Sequence, residues 1–215
     1  MRYQQWWELR RKLVHLSGVL WLGLAQFVGP LAGLVFLLVS LAFFSYGQLV
    51  QRTEQSHHTR LRRFEARLRD LVLRFEHERK APLLFQGLIW YYFSSGLVLL
   101  LFPWEPLNIA TAACLFLAIG DGFSTLVGVH GSNRLAGKKT YEGTLAFLGT
   151  SFLAGMLLLP PWLAGLGALA AALVELVPAL HTPAKPWSKL WDDNLLIPFV
   201  SGAVMWAAAS AAGLI

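Results

Sequence analysis

An acidic residue inside an apolar segment is the first candidate for chemistry in this chain. Asp121 lies in the run Ala118-Ile119-Gly120-Asp121-Gly122, within a stretch hydrophobic enough to cross a membrane. Ionisable side chains are rare and costly at such depth, so they are usually retained for a function. The flanking glycines allow another backbone or a ligand to approach closely. The sequence therefore indicates that Asp121 is a site residue.

A polar segment follows shortly after Asp121. Residues 135–144 read LAGKKTYEGT, and the candidate phosphate-binding residues are Gly137, Lys138, Lys139 and Thr140. Glycine exposes backbone amides, and lysine supplies compact point charges for an anion. The next apolar segment begins here, so the N-terminus of its helix would also face that anion. We predict a cytoplasmic phosphate-binding loop over 129–143, with Asp121 holding Mg²⁺ beside it.

Further carboxylates lie elsewhere along the chain. Together with Asp121, the candidate Mg²⁺ ligands are Glu142, Glu175, Asp192 and Asp193, and Asn194 follows the last pair. Carboxylates from separate helices can bind Mg²⁺ together with its phosphate ligands. Two alternatives stay open, because Glu142 could instead cap the helix after the loop, and one of the two aspartates could cap the last helix.

A polar stripe also enters the first apolar segment. Glu8, Arg11, Lys12 and His15 are spaced i, i+3, i+4 and i+7, so a helix places them on one face. Such a stripe should face protein or water rather than lipid. Alternatively, Arg11 and Lys12 are topology signals and His15 is a packing residue, so the role of His15 stays open.

The elements that must position these residues are membrane helices. Hydrophobic residues make up 56% of the 215 residues and charged residues 14%, a composition typical of a polytopic membrane protein. With about 20 residues per crossing as the measure, apolar stretches occur at 13–28, 31–50, 82–102, 107–128, 144–160, 162–180 and 194–214.

The distribution of cations supports seven crossings. If the N-terminus is cytoplasmic, the cytoplasmic segments are 1–12, 51–81, 129–143 and 181–193, and they contain all 18 Lys and Arg residues. This asymmetry is the one that membrane proteins show. We predict an all-α polytopic membrane protein with seven transmembrane helices, a cytoplasmic N-terminus and an outside C-terminus, forming one integral membrane domain over 1–215.

The long cytoplasmic segment 51–81 has a pattern of its own. Apolar residues recur at helical spacing between arginines, which predicts a basic amphipathic helix on the inner leaflet. Its arginines would fix the topology and bind anionic headgroups, with a direct catalytic role as the alternative. We expect no nucleic-acid partner.

The motifs, taken in order, carry a family resemblance. They are Glu8 with Arg11-Lys12, His15 and Gly18; Gly120-Asp121 with Gly128; Gly137-Lys138-Lys139-Thr140 with Glu142-Gly143; and Glu175 with Asp192-Asp193-Asn194 and Pro198. Over nearly the whole chain this order resembles the CTP-dependent lipid kinases, the group that includes dolichol kinase, phytol kinase and the fungal CTP-using diacylglycerol kinase.

The resemblance implies transfer of the γ-phosphate of CTP to the hydroxyl of a membrane lipid alcohol of polyprenol, phytol or diacylglycerol type. The products would be a lipid monophosphate and CDP, with Mg²⁺ required. It implies catalytic roles for Asp121, Lys139 and Asp193, and phosphate contacts for Arg11 and Lys12. Glu8, His15, Gly128 and Asn194 match the pattern without an assigned role. The site would face the cytoplasm at the inner membrane of a prokaryote.

Two other functions stay open at this point. A cytidylyltransferase would use the same metal acids and phosphate cations, but it would attack the α-phosphate to make a CDP-lipid. A transporter or scaffold could use intramembrane carboxylates, although we find no internal repeat of the kind such transporters have. The lipid alcohol and the oligomeric state are left open.

Overall fold

The computed structural model describes residues 18–53, 66, 86–102, 105, 107–136, 139–180 and 192–215. Within these residues the chain is mostly helical. The helices are α1 (Gly18–Val28), α2 (Leu31–Thr53), α3 (Gln86–Leu101), α4 (Ile109–Gly128), α5 (Tyr141–Gly155), α6 (Pro161–Leu180) and α7 (Asp193–Ala211). Two short strands, β1 (Arg134–Ala136) and β2 (Lys139–Thr140), lie between α4 and α5.

The described residues are mostly helical, as predicted, and each predicted apolar stretch overlaps one of these helices. By length and composition α2, α4 and α7 are long and apolar enough to cross a membrane, whereas α1, α3 and the part of α6 from Pro161 to Val177 are shorter apolar segments. These lengths refer to the described part of the chain. The molecule is therefore compatible with a membrane protein, while seven crossings and their orientation stay predictions.

Helix α4 is the central element of the described structure. Its α-helical turns Ile109–Leu115 and Asp121–Gly128 are separated by one π-helical turn, Phe116–Gly120. It packs against α3, α5, α6 and α7. A π turn inserts one extra residue per turn and is common at functional sites. Here it directly precedes Asp121, so it sets the face on which that carboxylate lies.

Small residues let the helices approach closely. A Cβ atom added at Gly33 of α2 would lie 2.6 Å from the carbonyl oxygen of Gly96 in α3, and one at Gly96 would lie 2.9 Å from that of Gly33. The ring of Phe116 lies beside Gly155 and Gly167 in the same way, which joins α4 to α5 and α6. Small residues have this role where helices associate in lipid.

The outer surface of the bundle is apolar. Large hydrophobic side chains are exposed on most of the helices, including Leu20, Phe27, Leu38, Leu145, Leu173 and Trp206. The core instead contains the fully buried Phe116, Phe147, Leu163, Ile197 and Met205. Such exposure is expected where a helix faces lipid rather than water.

The described residues of the loop 129–143 include two paired strands, which the sequence does not predict. Strands β1 and β2 form an antiparallel pair in which Arg134 is opposite Thr140 and Ala136 is opposite Lys139. The Tyr141 amide donates to the Asn133 carbonyl at 3.0 Å and extends this hairpin. The hairpin is a correction to the all-helical prediction. Strands this short leave no alternating pattern in a sequence.

Several predictions fall outside the described residues. These are the stripe of Glu8, Arg11, Lys12 and His15, the loop residues Gly137 and Lys138, and nearly all of the amphipathic segment 51–81. They stay predictions.

Candidate functional site

An ion pair is the centre of the candidate site. Lys139 of β2 extends its ammonium to Glu175 of α6, with 2.7 Å between Nζ and Oε1. The Glu175 side chain is fully buried, and 26% of the Lys139 side chain is exposed. Asp193, at the start of α7, lies farther away, with 4.0 Å between its Oδ2 and Nζ. Three elements distant in sequence therefore meet at one lysine.

Helix α4 adds two further groups to this site. Ser124 donates its hydroxyl to Glu175 Oε1 at 2.7 Å. Asp121 precedes Ser124 by one helical turn and is almost completely buried, with 1% exposure. Residues three apart share one helix face. Asp121 is also close enough to raise the pKa of Lys139, so α4 presents a carboxylate and a hydroxyl to the same place.

The pKa of Lys139 depends on two opposing influences, burial and nearby negative charge. Burial of the ammonium acts to lower its pKa, and the nearby carboxylates of Glu175, Asp121 and Asp193 act to raise it. The carboxylates together prevail, so the pKa lies above the usual value for a lysine. Opposite charges favour the charged form. Lys139 is therefore a cation at neutral pH.

Among the described residues, three carboxylates act on the ammonium of Lys139. Glu175 Oε2 is buried and has no hydrogen-bond partner among the described residues. A buried carboxylate oxygen is normally satisfied by a donor or a cation. In chemical type these oxygens suit a hard divalent cation such as Mg²⁺. Within the described ranges, however, no three or more His, Cys, Asp or Glu side chains are grouped closely enough to hold one.

The predicted alternative for the start of α7 is observed. Asp192 is the N-cap residue, and its Oδ1 accepts from the Asn194 amide at 3.0 Å and from Asn194 Nδ2 at 2.8 Å. Asp193 Oδ1 accepts from the same amide at 3.0 Å. Its other oxygen is the one that faces Lys139. Asp192 thus caps the helix, and Asp193 contributes charge to the site.

The α7 N-terminus is also attached to α3. Ser94 donates its hydroxyl to the Asn194 carbonyl at 2.6 Å, and both residues are buried. This bond fixes the end of α7 from which Asp193 extends. Asn194, predicted without a role, therefore orients the two aspartates and joins two helices.

Thr140 and Glu142 hold the hairpin to the rest of the chain. Thr140 is the N-cap residue of α5, and its Oγ1 accepts from the Gly143 amide at 3.2 Å. Glu142 Oε1 accepts from the Ser132 amide at 3.2 Å, the Asn133 amide at 3.3 Å and Asn133 Nδ2 at 3.0 Å. The Thr140 oxygen is thus engaged by a backbone amide, and the Glu142 carboxylate by the residues before β1.

The predicted glycines serve close packing. A Cβ atom added at Gly143 of α5 would lie 2.8 Å from the Ser124 carbonyl oxygen and 3.1 Å from Gly128 Cα. One added at Gly128 would lie 3.1 Å from Thr140 Oγ1. Backbones of α4 and α5 are therefore in direct contact beside the site. This contact sets the position of Ser124.

Of the predicted site residues, the structure brings together Asp121, Lys139, Glu175 and Asp193. Ser124 and Ser94 were not predicted. The signal for Ser124 was its spacing of one helical turn from Asp121 in an apolar stretch. Ser94 bonds to a carbonyl across the bundle, and nothing in its local sequence indicates this. Comparison with family models, with curated proteins and with solved structures finds no match to this chain.

Proposed function

We propose that this chain is a CTP-dependent lipid-alcohol kinase. It would transfer the γ-phosphate of CTP to the hydroxyl of a membrane lipid of polyprenol, phytol or diacylglycerol type. One observation carries the proposal above the others: Lys139, Glu175, Asp121 and Asp193 converge from one hairpin and three helices. A phosphate-binding cation surrounded by metal-binding acids is the equipment that phosphoryl transfer uses.

Phosphoryl transfer depends mainly on positioning the reacting groups and on neutralising the negative charge of the phosphates. The acceptor hydroxyl oxygen forms a bond to the γ-phosphorus, and the bond from that phosphorus to the β,γ-bridging oxygen breaks. CDP leaves, and the hydroxyl proton passes to Asp121, the buried acid of α4. Lys139 would bind the γ-phosphate through its ammonium, which Glu175 and Asp193 keep charged and oriented.

Mg²⁺ is the implied cofactor. One or two of Asp121, Glu175 and Asp193 would bind it together with phosphate oxygens of the nucleotide, because no three of the described acids are grouped closely enough to hold it by themselves. When bound, it neutralises negative charge on the phosphates of the nucleotide. The buried Oε2 of Glu175, which has no hydrogen-bond partner among the described residues, is one oxygen that such an ion would satisfy. Ser124 keeps the other oxygen of Glu175 in place.

The membrane arrangement forms part of the same proposal. Seven helices would cross the inner membrane of a prokaryote, with the hairpin and the end of α6 at the cytoplasmic face. The restriction of every Lys and Arg to four segments supports this orientation. Exposed apolar side chains on most of the helices support contact with lipid. The nucleotide would then come from the cytoplasm and the alcohol from the bilayer.

The test is a transfer assay with the purified, detergent-solubilised chain and Mg²⁺. CTP labelled at the α or the γ position is supplied with a polyprenol, phytol, geranylgeraniol or diacylglycerol. Label in lipid from the γ position alone is the expected result and names the acceptor. Label from the α position would instead indicate a cytidylyltransferase. No transfer, together with no binding of CTP, would favour a transporter or scaffold.

A further inference from the structure

Glu142 accepts hydrogen bonds from residues of the loop before β1. Its Oε1 accepts three hydrogen bonds, two from backbone amides and one from the Asn133 side chain. Its Oε2 is buried, with no hydrogen-bond partner among the described residues. A Cβ atom added at Gly131 would lie 2.7 Å from that oxygen, so the loop backbone passes directly beside it. The carboxylate thus closes over residues 131–133.

This contact fixes both ends of the hairpin that carries Lys139. Residues 131–133 lead directly into β1, and Glu142 lies in the first turn of α5, directly after β2. The Tyr141 amide also bonds to the Asn133 carbonyl. Thr140, next to Lys139, caps α5. The base of the hairpin is therefore closed by side-chain and backbone bonds on both sides of Lys139.

Electrostatics agree with an ionised Glu142. Its own backbone N–H is the largest influence and lowers the pKa of the carboxyl, desolvation opposes this, and the Asn133 and Ser132 donors lower it further. Amides that donate to a carboxylate stabilise its charged form. Hydrogen-bond donors in the loop therefore already stabilise the negative charge of Glu142. A carboxylate that bound Mg²⁺ in this position would not need these donors.

We propose that Glu142 is a positioning residue, which holds the hairpin so that Lys139 reaches Glu175, in place of the Mg²⁺-ligand role that the sequence predicts. Its consequence for phosphate transfer rests on the proposed function, whereas its effect on Lys139 does not. The two roles differ in what they require of residue 142. A neutral amide oxygen binds Mg²⁺ much more weakly than a carboxylate does, whereas the loop needs only an acceptor, which the glutamine side chain also has.

The first experiment measures the position of Lys139 without any nucleotide. The full chain in detergent is treated with acetic anhydride, and acetylation of Lys139 is followed by mass spectrometry relative to the denatured chain. Release of the hairpin removes the ammonium from Glu175, so E142A is expected to raise the rate by about 3- to 10-fold, because the carboxylates no longer favour the protonated, unreactive form of the amine. E142Q should change it by less than about 2-fold, because the acceptor is kept.

Matched variants keep this result interpretable. E105A removes an exposed glutamate outside the site and should leave the rate unchanged. Melting temperatures of all variants show whether E142A is folded. If it is not, the acetylation rate and the Mg²⁺ requirement of E142Q decide together. Unchanged acetylation of Lys139 in folded E142A would overturn the proposal, as would equal release in E142Q.

The second experiment separates positioning from metal binding. Transfer of γ-phosphate is measured against Mg²⁺ concentration at saturating CTP. We expect kcat to fall by about 10- to 100-fold in E142A and by less than about 3-fold in E142Q, with half-saturating Mg²⁺ within 2-fold of the parent chain. A requirement for at least about 10-fold more Mg²⁺ in E142Q would identify Glu142 as a ligand and overturn the proposal.

The two experiments also separate this proposal from the proposed function. If the parent chain transfers no phosphate while Lys139 becomes reactive in E142A and not in E142Q, the kinase assignment fails and the positioning role is supported. If the parent chain transfers phosphate while Lys139 reactivity is unchanged in folded E142A, the kinase assignment stands and the positioning role fails.

Discussion

Lys139 and Glu175 form an ion pair across 36 positions of sequence, with 2.7 Å between Nζ and Oε1. The glutamate is fully buried, and the lysine reaches it from a hairpin at the edge of the bundle. Ser124 donates to the same oxygen from α4. One oxygen atom thus links the hairpin, α4 and α6. Both the stability of the bundle and the state of the candidate site depend on it.

A double-mutant cycle should detect this coupling. K139M leaves Glu175 buried without its cation, and we expect a loss of about 1–3 kcal/mol in the free energy of unfolding. E175Q should cost about 1 kcal/mol, because glutamine still accepts from Ser124. The double variant should be more stable than the sum predicts by about 1 kcal/mol. Unfolding in detergent measures each value, and strict additivity would contradict the coupling.

The raised pKa of Lys139 predicts how its acetylation rate and its contribution to stability change with pH. A lysine whose pKa is higher in the folded chain contributes stability below its unfolded pKa, and this contribution is lost as pH rises through the folded value. Acetylation of Lys139 should therefore begin at higher pH than for a lysine in the denatured chain. E175Q removes one of the carboxylates that raise this pKa, so it should shift the profile toward lower pH.

A matched control exists for that shift. E105Q neutralises an exposed glutamate outside the site, and the Lys139 profile should not change. An unchanged profile in folded E175Q would show that the carboxylate does not act on the ammonium.

Two glycines on α5 provide a matched pair for the packing of α4. G143A would place a methyl group 2.8 Å from the Ser124 carbonyl oxygen, so α4 must move, at a cost of about 1–3 kcal/mol in the free energy of unfolding. At Gly149 nothing lies within 4 Å of an added Cβ atom. G149A should therefore be neutral or stabilise the chain by up to about 1 kcal/mol, because alanine is the better helix former.

Both variants can be compared by thermal unfolding and by phosphate transfer. G143A should lose activity because Ser124 and Asp121 share the displaced helix, whereas G149A should keep it. Equal behaviour of the two would show that the contact of α4 with α5 does not set the site.

Much of the fold could be predicted from the sequence because apolar stretches are long and sharply bounded by charge. Acids inside such stretches are conspicuous, which is why Asp121 and Glu175 could be selected without a structure. Lys139 and Asp193 could be selected because each lies in a short polar segment between two apolar stretches. That all seven helices cross a membrane stays a prediction, since among the described residues three helices have both the length and the apolar composition of a membrane span.

What the sequence could not supply is how the polar groups pair. The π turn before Asp121 leaves no residue pattern, and β1 and β2 are too short for alternation to be recognised. Glu142 was predicted as a Mg²⁺ ligand because carboxylates from separate elements can bind that ion together, with capping of the following helix as the alternative. Its actual partners, the Ser132 and Asn133 donors, become neighbours only when the hairpin folds back.

The proposed catalytic role of Asp121 is tested by comparing D121N with E105Q in γ-phosphate transfer from labelled CTP to the best acceptor of the parent chain. Asparagine keeps the size of the buried side chain but cannot take the hydroxyl proton or offer a full negative charge. We predict that D121N lowers kcat by about 10²- to 10³-fold while its melting temperature is kept, and that E105Q changes neither. Transfer by folded D121N at the parental rate would show that phosphate transfer does not depend on the Asp121 carboxylate.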